Sequence, residues 1–213
     1  MKLKTIYLLC YNLFMSIGWS FYFFTFLSNF METNKINKIY KYSHYYLEII
    51  QYGSILEIIH SILKLTPSPF FSTFLQIFSR VGIVYILQHF NYSRSIGYIL
   101  LSFAWSITEI IRYPYYLLNI LKKEYKKENL IPYWLTWCRY SFFILLYPLG
   151  VTGEILTVYY SKKNLKKIKF FGTRMENITY IIYIIYIPGI IFLYSYMLKQ
   201  RNKVLVNKKE KKE

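Results

Sequence analysis

The sequence predicts an all-α fold, a polytopic membrane protein built as a six-transmembrane-helix bundle, and three observations carry that expectation. Of 213 residues, 55% are hydrophobic and 22% aromatic, which is more apolar surface than a soluble domain of this length can bury. The apolar residues gather into runs that, at about 1.5 Å of rise per residue, are long enough to cross roughly 30 Å of hydrocarbon. No run alternates polar and apolar residues as a barrel strand must, and in lipid only helices and closed barrels satisfy every backbone group.

The first helix is expected over 6–27, inside a stretch that carries no charge. Its length and its lack of a small-residue cleavage site set it apart from a removable signal peptide. A loop with Lys35, Lys38 and Lys41 leads to the second helix, 42–63, which holds Glu48, Glu57 and His60. Hydrocarbon tolerates such groups only where they face the protein interior. The Pro67-Ser68-Pro69 turn is short, so the third helix, 69–89, returns antiparallel to the second. It carries Gln76 and Arg80 one turn apart on one face. The fourth, 95–121, holds Glu109 and Arg112 at a pairing distance, followed by Pro114, which should kink it. The loop KKEYKKEN precedes the fifth helix, 131–160, and the basic loop SKKNLKKIK separates that from an uncharged sixth, 177–198. Residues 1–198 are thus expected to form one membrane domain and 199–213 a disordered, lysine-rich tail. Tyrosines at the segment ends, among them Tyr40, Tyr42, Tyr45 and Tyr46, fit interfacial belts.

Charge and composition exclude several functions. The formal charge is +17, but the lysines sit in tails and loops, where anionic lipid headgroups account for them and no nucleic acid is required. Cys10 and Cys138 lie in separate apolar runs, and His44, His60 and His89 lack ligand spacing, so neither a disulfide framework nor a metal site is expected. A tyrosine phosphatase would need Cys-x5-Arg, yet six residues after Cys138 stands Ile144. No internal repeat of the transporter kind is present.

The fifth run carries the chemistry. Tyr147 and Glu154 are seven residues apart, which at about 100° per residue returns them to one helix face about 10.5 Å apart along the axis, able to lean toward a common point. Gly150, between them, leaves that face without a side chain and opens a groove. An isolated carboxylate in an apolar run is costly, so Glu154 is expected to be functional. Glu57, Gln76 and Arg80 are read either as an interhelical polar network, with Glu57 and Arg80 paired across neighbouring helices, or as substrate contacts.

The pattern R-Y-x-x-F-x-x-L-Y-P-x-G-x-x-x-E, formed by Arg139, Tyr140, Phe143, Leu146, Tyr147, Pro148, Gly150 and Glu154, resembles the signature of the membrane 3-hydroxyacyl-CoA dehydratases. These enzymes, once called protein tyrosine phosphatase-like proteins, perform the dehydration step of very-long-chain fatty acid elongation. LEIIHSILKLTPSPFFSTFLQIFSR, residues 56–80, is similar to the family's second and third membrane segments, and WSITEIIRYPYY, residues 105–116, to its fourth.

The resemblance implies a hydro-lyase that converts (3R)-3-hydroxyacyl-CoA to trans-2-enoyl-CoA in the third step of the elongation cycle, without cofactor or metal. It implies Tyr147 and Glu154 as catalytic residues, with Arg139, Gly150, Arg80, Gln76 and Glu57 shaping the site. The implied partners are the acyl-CoA, the lipid bilayer and the other elongation enzymes (elongase, ketoreductase and enoyl reductase). The implied location is the endoplasmic reticulum membrane with cytosolic termini. Lys209 and Lys211 have the K-x-K-x-x form of a dilysine retrieval signal, whereas the basic loop 161–173 opposes that orientation.

Elimination of water needs a base for the C2 proton and an acid for the departing C3 hydroxyl. Glu154 as base and Tyr147 as donor is the preferred assignment, with the reverse left open. Charge building on the thioester oxygen would be met by Arg139 or a backbone N–H near Pro148. Lys122, Lys123, Lys126, Lys127 and Arg139 could meet the phosphates of coenzyme A. The rival reading is a non-catalytic membrane scaffold or small carrier that uses the same intramembrane polar residues.

Overall fold

In the computed structural model, which describes residues 1–33, 35–90, 94–165, 169–170 and 173–206, nearly every described segment is helical. The first apolar run forms α1 (Leu3–Glu32). Its Leu8, Tyr11, Met15, Trp19, Tyr22 and Phe26 are buried, a spacing of three or four residues that makes one stripe along the helix. Phe14, Ile17, Phe21 and Phe24 on the other face are exposed, as a lipid-facing surface requires.

Two expected helices are each divided. The second becomes α2 (Ile36–Gly53) and α3 (Leu56–Ile62). At the break the Ser54 hydroxyl donates to the Gln51 carbonyl at 2.6 Å, and the Gln51 amide donates back to Ser54 Oγ at 2.9 Å. These local bonds compete with the helical ladder just after Gly53. The fifth becomes α6 (Tyr133–Ser141) and α7 (Phe143–Leu165). Between the divided pairs lie α4 (Phe70–His89) and α5 (Ile96–Tyr125), the latter continuing as one helix through Pro114. An antiparallel ribbon, β1 (Lys169–Phe170) with β2 (Thr173–Arg174), joins α7 to α8 (Met175–Arg201). The sequence offered no strand pattern there. Helical structure continues through Asn202–Val206, past the expected limit of 198, while Lys209 and Lys211 lie outside the described residues.

The helices alternate in direction. Lys4 reaches the Lys64 carbonyl, and the Met1 amino group lies 3.8 Å from Glu124, so the start of α1, the end of α3 and the end of α5 share one side of the bundle. α1, α4 and the Phe143–Lys162 part of α7 are long and apolar enough to cross a membrane. α5 is the pillar, packed on α1 and α2 on one side and on α7 on the other. Helices in lipid gain little from burying apolar surface against one another, so polar contacts and close packing hold them. Between α1, α2 and α5 the Tyr22 hydroxyl donates to Ser102 at 2.7 Å, and the Tyr98 hydroxyl lies 2.7 Å from Ser43.

Between α5 and α7 the contact is made by glycines. A Cβ on Gly97 would lie 2.6 Å from the Gly153 carbonyl oxygen, and one on Gly153 would lie 2.6 Å from the Leu101 nitrogen. Gly97→Ala and Gly153→Ala must therefore push α5 and α7 apart. Each is expected to cost about 1–3 kcal/mol in unfolding experiments on the detergent-solubilised chain. Gly82→Ala on α4, where an added Cβ meets nothing within 4 Å, serves as the control and is expected to cause no loss.

Candidate active site

One face of α7 presents Phe143, Tyr147, Gly150 and Glu154 to a cavity of about 1220 Å³, walled also by α1, α3, α4, α5, α6 and α8. The cavity is lined mainly by apolar side chains, including Ile83, Ile86, Val158 and Leu193. All seven residues singled out from the sequence, Glu57, Gln76, Arg80, Arg139, Tyr147, Gly150 and Glu154, contribute to its wall.

Glu154 is 7% exposed and both carboxylate oxygens are engaged. Oε1 accepts the Trp105 indole N–H at 3.1 Å, and Oε2 accepts the Tyr186 hydroxyl at 2.6 Å. Tyr147 lies two turns earlier, its ring 5.9 Å from that of Tyr194 on α8. Both line the same cavity, and among the described residues no hydrogen bond joins Tyr147 to Glu154. Helical side chains tilt toward the N-terminus of their helix, which carries Tyr147 toward Phe143 and Tyr194 and leaves the Gly150 gap between the two polar groups. Gly150 has a second role that sequence did not show. A Cβ there would meet Ala104 Cβ at 3.3 Å and the Trp105 ring at 3.7 Å, so glycine admits α5 as well as opening the groove.

Beside this pair runs a chain of alternating charge. The Arg80 guanidinium donates to Glu109, Arg112 Nε donates to the other oxygen of Glu109, and Arg112 grips Glu57 with two bonds of 2.9 Å. Tyr113 and Tyr11 add hydroxyl donors to Glu57. The expected Glu57–Arg80 pair is therefore corrected, because α5 stands between them and supplies Glu109 and Arg112, which share a face at i,i+3. Two cations and two anions leave the chain neutral. It reaches Glu154 through Trp105, since Arg80 lies 5.1 Å over the ring whose N–H holds that carboxylate. Gln76 lines the cavity one turn before Arg80.

Arg139 stands farther along, donating to the Tyr116 hydroxyl at 3.2 Å, with the Tyr116 and Tyr140 rings beside it. The wall also includes Lys4, Lys123 and Glu124. Of the four lysines 122, 123, 126 and 127, it is Lys123 that lines the wall. Pro148 supplies no oxyanion donor. Lacking an N–H, it releases the carbonyl of Ile144, which is an acceptor.

Sequence reasoning missed Tyr186, Trp105 and Lys4. Trp105 stood within a matched stretch but had no assigned role. Tyr186, one of 25 tyrosines, carried no signal of its own.

The sequence model of the protein tyrosine phosphatase-like family, PTPLA, matches residues 51–207. A very-long-chain (3R)-3-hydroxyacyl-CoA dehydratase of Caenorhabditis elegans is 36% identical over 219 residues, covering 97% of this chain and 98% of that protein. The Arabidopsis thaliana dehydratase PASTICCINO 2 is 34% identical over 219 residues, 97% of this chain and 96% of its own. The human dehydratase 2 is 32% identical over 222 residues, 99% of this chain and 85% of its own. No solved structure matches the chain.

The charge chain makes a specific demand on mutants. Arg80→Ala and Glu109→Ala each strand a buried charge and should each cost about 3–5 kcal/mol in unfolding experiments in detergent. The Arg80/Glu109 double mutant should lose clearly less than the sum of the two. A cycle on Arg80 and Glu57 should show weaker coupling; the opposite ranking would contradict this connectivity.

Proposed function

The chain belongs to the protein tyrosine phosphatase-like family, and we infer from that membership together with the cavity that it is a very-long-chain (3R)-3-hydroxyacyl-CoA dehydratase of the membrane. It is a hydro-lyase that yields trans-2-enoyl-CoA within fatty acid elongation. The geometric observation that carries the site assignment is Glu154. A carboxylate is held by two hydrogen bonds on the wall of an apolar cavity, with a phenol two turns away and cations toward one end.

The acyl chain lies along the apolar wall near Ile83, Ile86, Val158 and Leu193, and the coenzyme A phosphates meet Lys4 and Lys123. Glu154 takes the proton from C2. The electrons of that bond form the C2–C3 double bond, and the C3–O bond breaks. Tyr147 gives its proton to the departing hydroxyl, which leaves as water. Return of the proton from Glu154 to Tyr147 resets the site. The assignment rests on ordinary acidity, since at neutral pH a carboxylate accepts protons and a phenol donates. Arg139 is the candidate donor for charge on the thioester oxygen.

A second arrangement is favoured by the order of groups along the cavity. Trp105 touches Glu154 while Tyr116 touches Arg139, so from the cationic end inward the sequence is Arg139, Tyr147, Gly150, Glu154. The threading described above, with coenzyme A at the cationic end and the acyl chain inward, places C2 toward Tyr147 and the C3 hydroxyl toward Glu154, which exchanges their roles with the same product. The order of groups favours this assignment, ordinary acidity favours the first, and proton exchange at C2 decides between them.

For the whole chain we propose one membrane unit with six passes: α1, α2 with α3, α4, α5, α6 with α7, and α8. α5 qualifies because its charged groups Glu109 and Arg112 face the interior. The cationic end of the cavity lies on the side of Met1 and Lys64, which we assign to the cytosol, where acyl-CoA is available. Residence in the endoplasmic reticulum beside the elongase, ketoreductase and enoyl reductase completes the proposal.

The test is turnover of 3-hydroxypalmitoyl-CoA by the purified chain in detergent. Tyr147→Phe and Glu154→Gln keep shape and remove one reactive group each, and each should lose about 10²- to 10⁴-fold in kcat. The double mutant should be little worse than the poorer single. Near-normal dehydration by a folded Glu154→Gln variant would return that carboxylate to a scaffold role.

A further inference from the structure

The Glu154 side chain has three rotatable bonds, and a carboxylate that must meet one carbon-bound proton gains from being held in one plane. Its two oxygens are held from two different helices. Trp105 on α5 binds Oε1 at 3.1 Å, and Tyr186 on α8 binds Oε2 at 2.6 Å. The second is short, in the range of a charge-assisted O–H···O⁻ bond. α8 runs antiparallel to α7, so Tyr194 stands beside Phe143 and Tyr147 while Tyr186, two turns earlier, stands beside Glu154. Tyr186 also lines the cavity. A phenol among apolar groups requires an acceptor, and this one finds it on the reacting carboxylate.

We propose that Tyr186 is a positioning residue of the dehydration site, whose hydroxyl, jointly with the Trp105 N–H, fixes the plane of the Glu154 carboxylate and stabilises its ionised form. The inference rests on Glu154 being the reacting carboxylate. Each oxygen keeps a further lone pair after accepting one donor, so the clamp leaves Glu154 able to take a proton from the cavity side. Among the described residues, the charged or titratable groups facing Glu154 are Arg80 on α4, Tyr147 on α7 and Tyr186 itself. The first two are unchanged when Tyr186 is altered.

Tyr186→Phe in the full chain should fold with an unchanged melting temperature to within a few degrees. Its kcat should fall about 10- to 100-fold, the worth of one hydrogen bond to a charged group, with KM nearly constant. Because the lost donor stabilised the charged carboxylate, the acidic limb of the kcat/KM profile should move to higher pH. Combined with Glu154→Gln, Tyr186→Phe should add little further loss, as expected of a residue that acts through another. 3-Fluorotyrosine at position 186 keeps the shape, strengthens the donor, and should move the limb to lower pH; this readout remains if the phenylalanine variant is poorly folded. Wild-type kcat and an unmoved pH profile in Tyr186→Phe, or a loss that multiplies with that of Glu154→Gln, overturns the inference while leaving the catalytic reading intact. An active Glu154→Gln variant would instead overturn the reading on which it rests.

Discussion

Hydrocarbon does not solvate ions, and this chain places Glu57, Arg80, Glu109, Arg112 and Glu154 within its apolar segments. The arrangement of the helices follows from that constraint. Glu57, Arg112, Glu109 and Arg80 neutralise one another in a line that crosses from α3 through α5 to α4. Glu154 has no cation bonded to it among the described residues, and receives an indole and a phenol instead. A carboxylate tied to an arginine would be a poor base. One held by neutral donors gives up less of its affinity for a proton while remaining fixed in place.

The rest of the bundle positions that carboxylate. α5 joins the two systems, since Arg80 pairs with its Glu109 and stacks on its Trp105, and Trp105 binds Glu154. The depth of contact between α5 and α7 is set by Gly97 and Gly153, the latter adjacent to Glu154 in sequence. A shift there would move Glu154 relative to Trp105. α8 closes the opposite wall with Tyr186 and Leu193. Tyr147, Glu154, Trp105 and Tyr186 therefore sit on continuous helices, which hold them more tightly than loops would.

The sequence made some of this legible because helical periodicity reports faces. The seven-residue spacing of Tyr147 and Glu154, and the pairing of Glu109 with Arg112, are properties of single helices and are seen in the structure as one face and one ion pair. Partners on different helices were less accessible. The sequence shows Arg80 and Glu57 as inward-facing groups of neighbouring segments, yet which inward groups meet depends on how α5 inserts between them. Tyr186 was invisible for the same reason, as its meaning comes from the rotation of α8 against α7. The breaks near Ser54 and Phe142 were also hidden, the first because it is made by side-chain bonds between Gln51 and Ser54 rather than by a proline. Membership of the family was legible in the motif itself, and the relatives, which cover nearly the whole chain, agree with it.

The central claim is that Glu154 removes the proton from C2, and isotope exchange at that carbon reads it directly. Substrate incubated with enzyme in deuterated water is recovered before full conversion, and deuterium at C2 is measured by mass spectrometry in the wild type and both single variants. The account expects exchange to persist in Tyr147→Phe, where the base is intact and departure of the hydroxyl is impaired, and to vanish in Glu154→Gln. Exchange that survives in Glu154→Gln and vanishes in Tyr147→Phe would contradict it and assign the proton abstraction to the tyrosine.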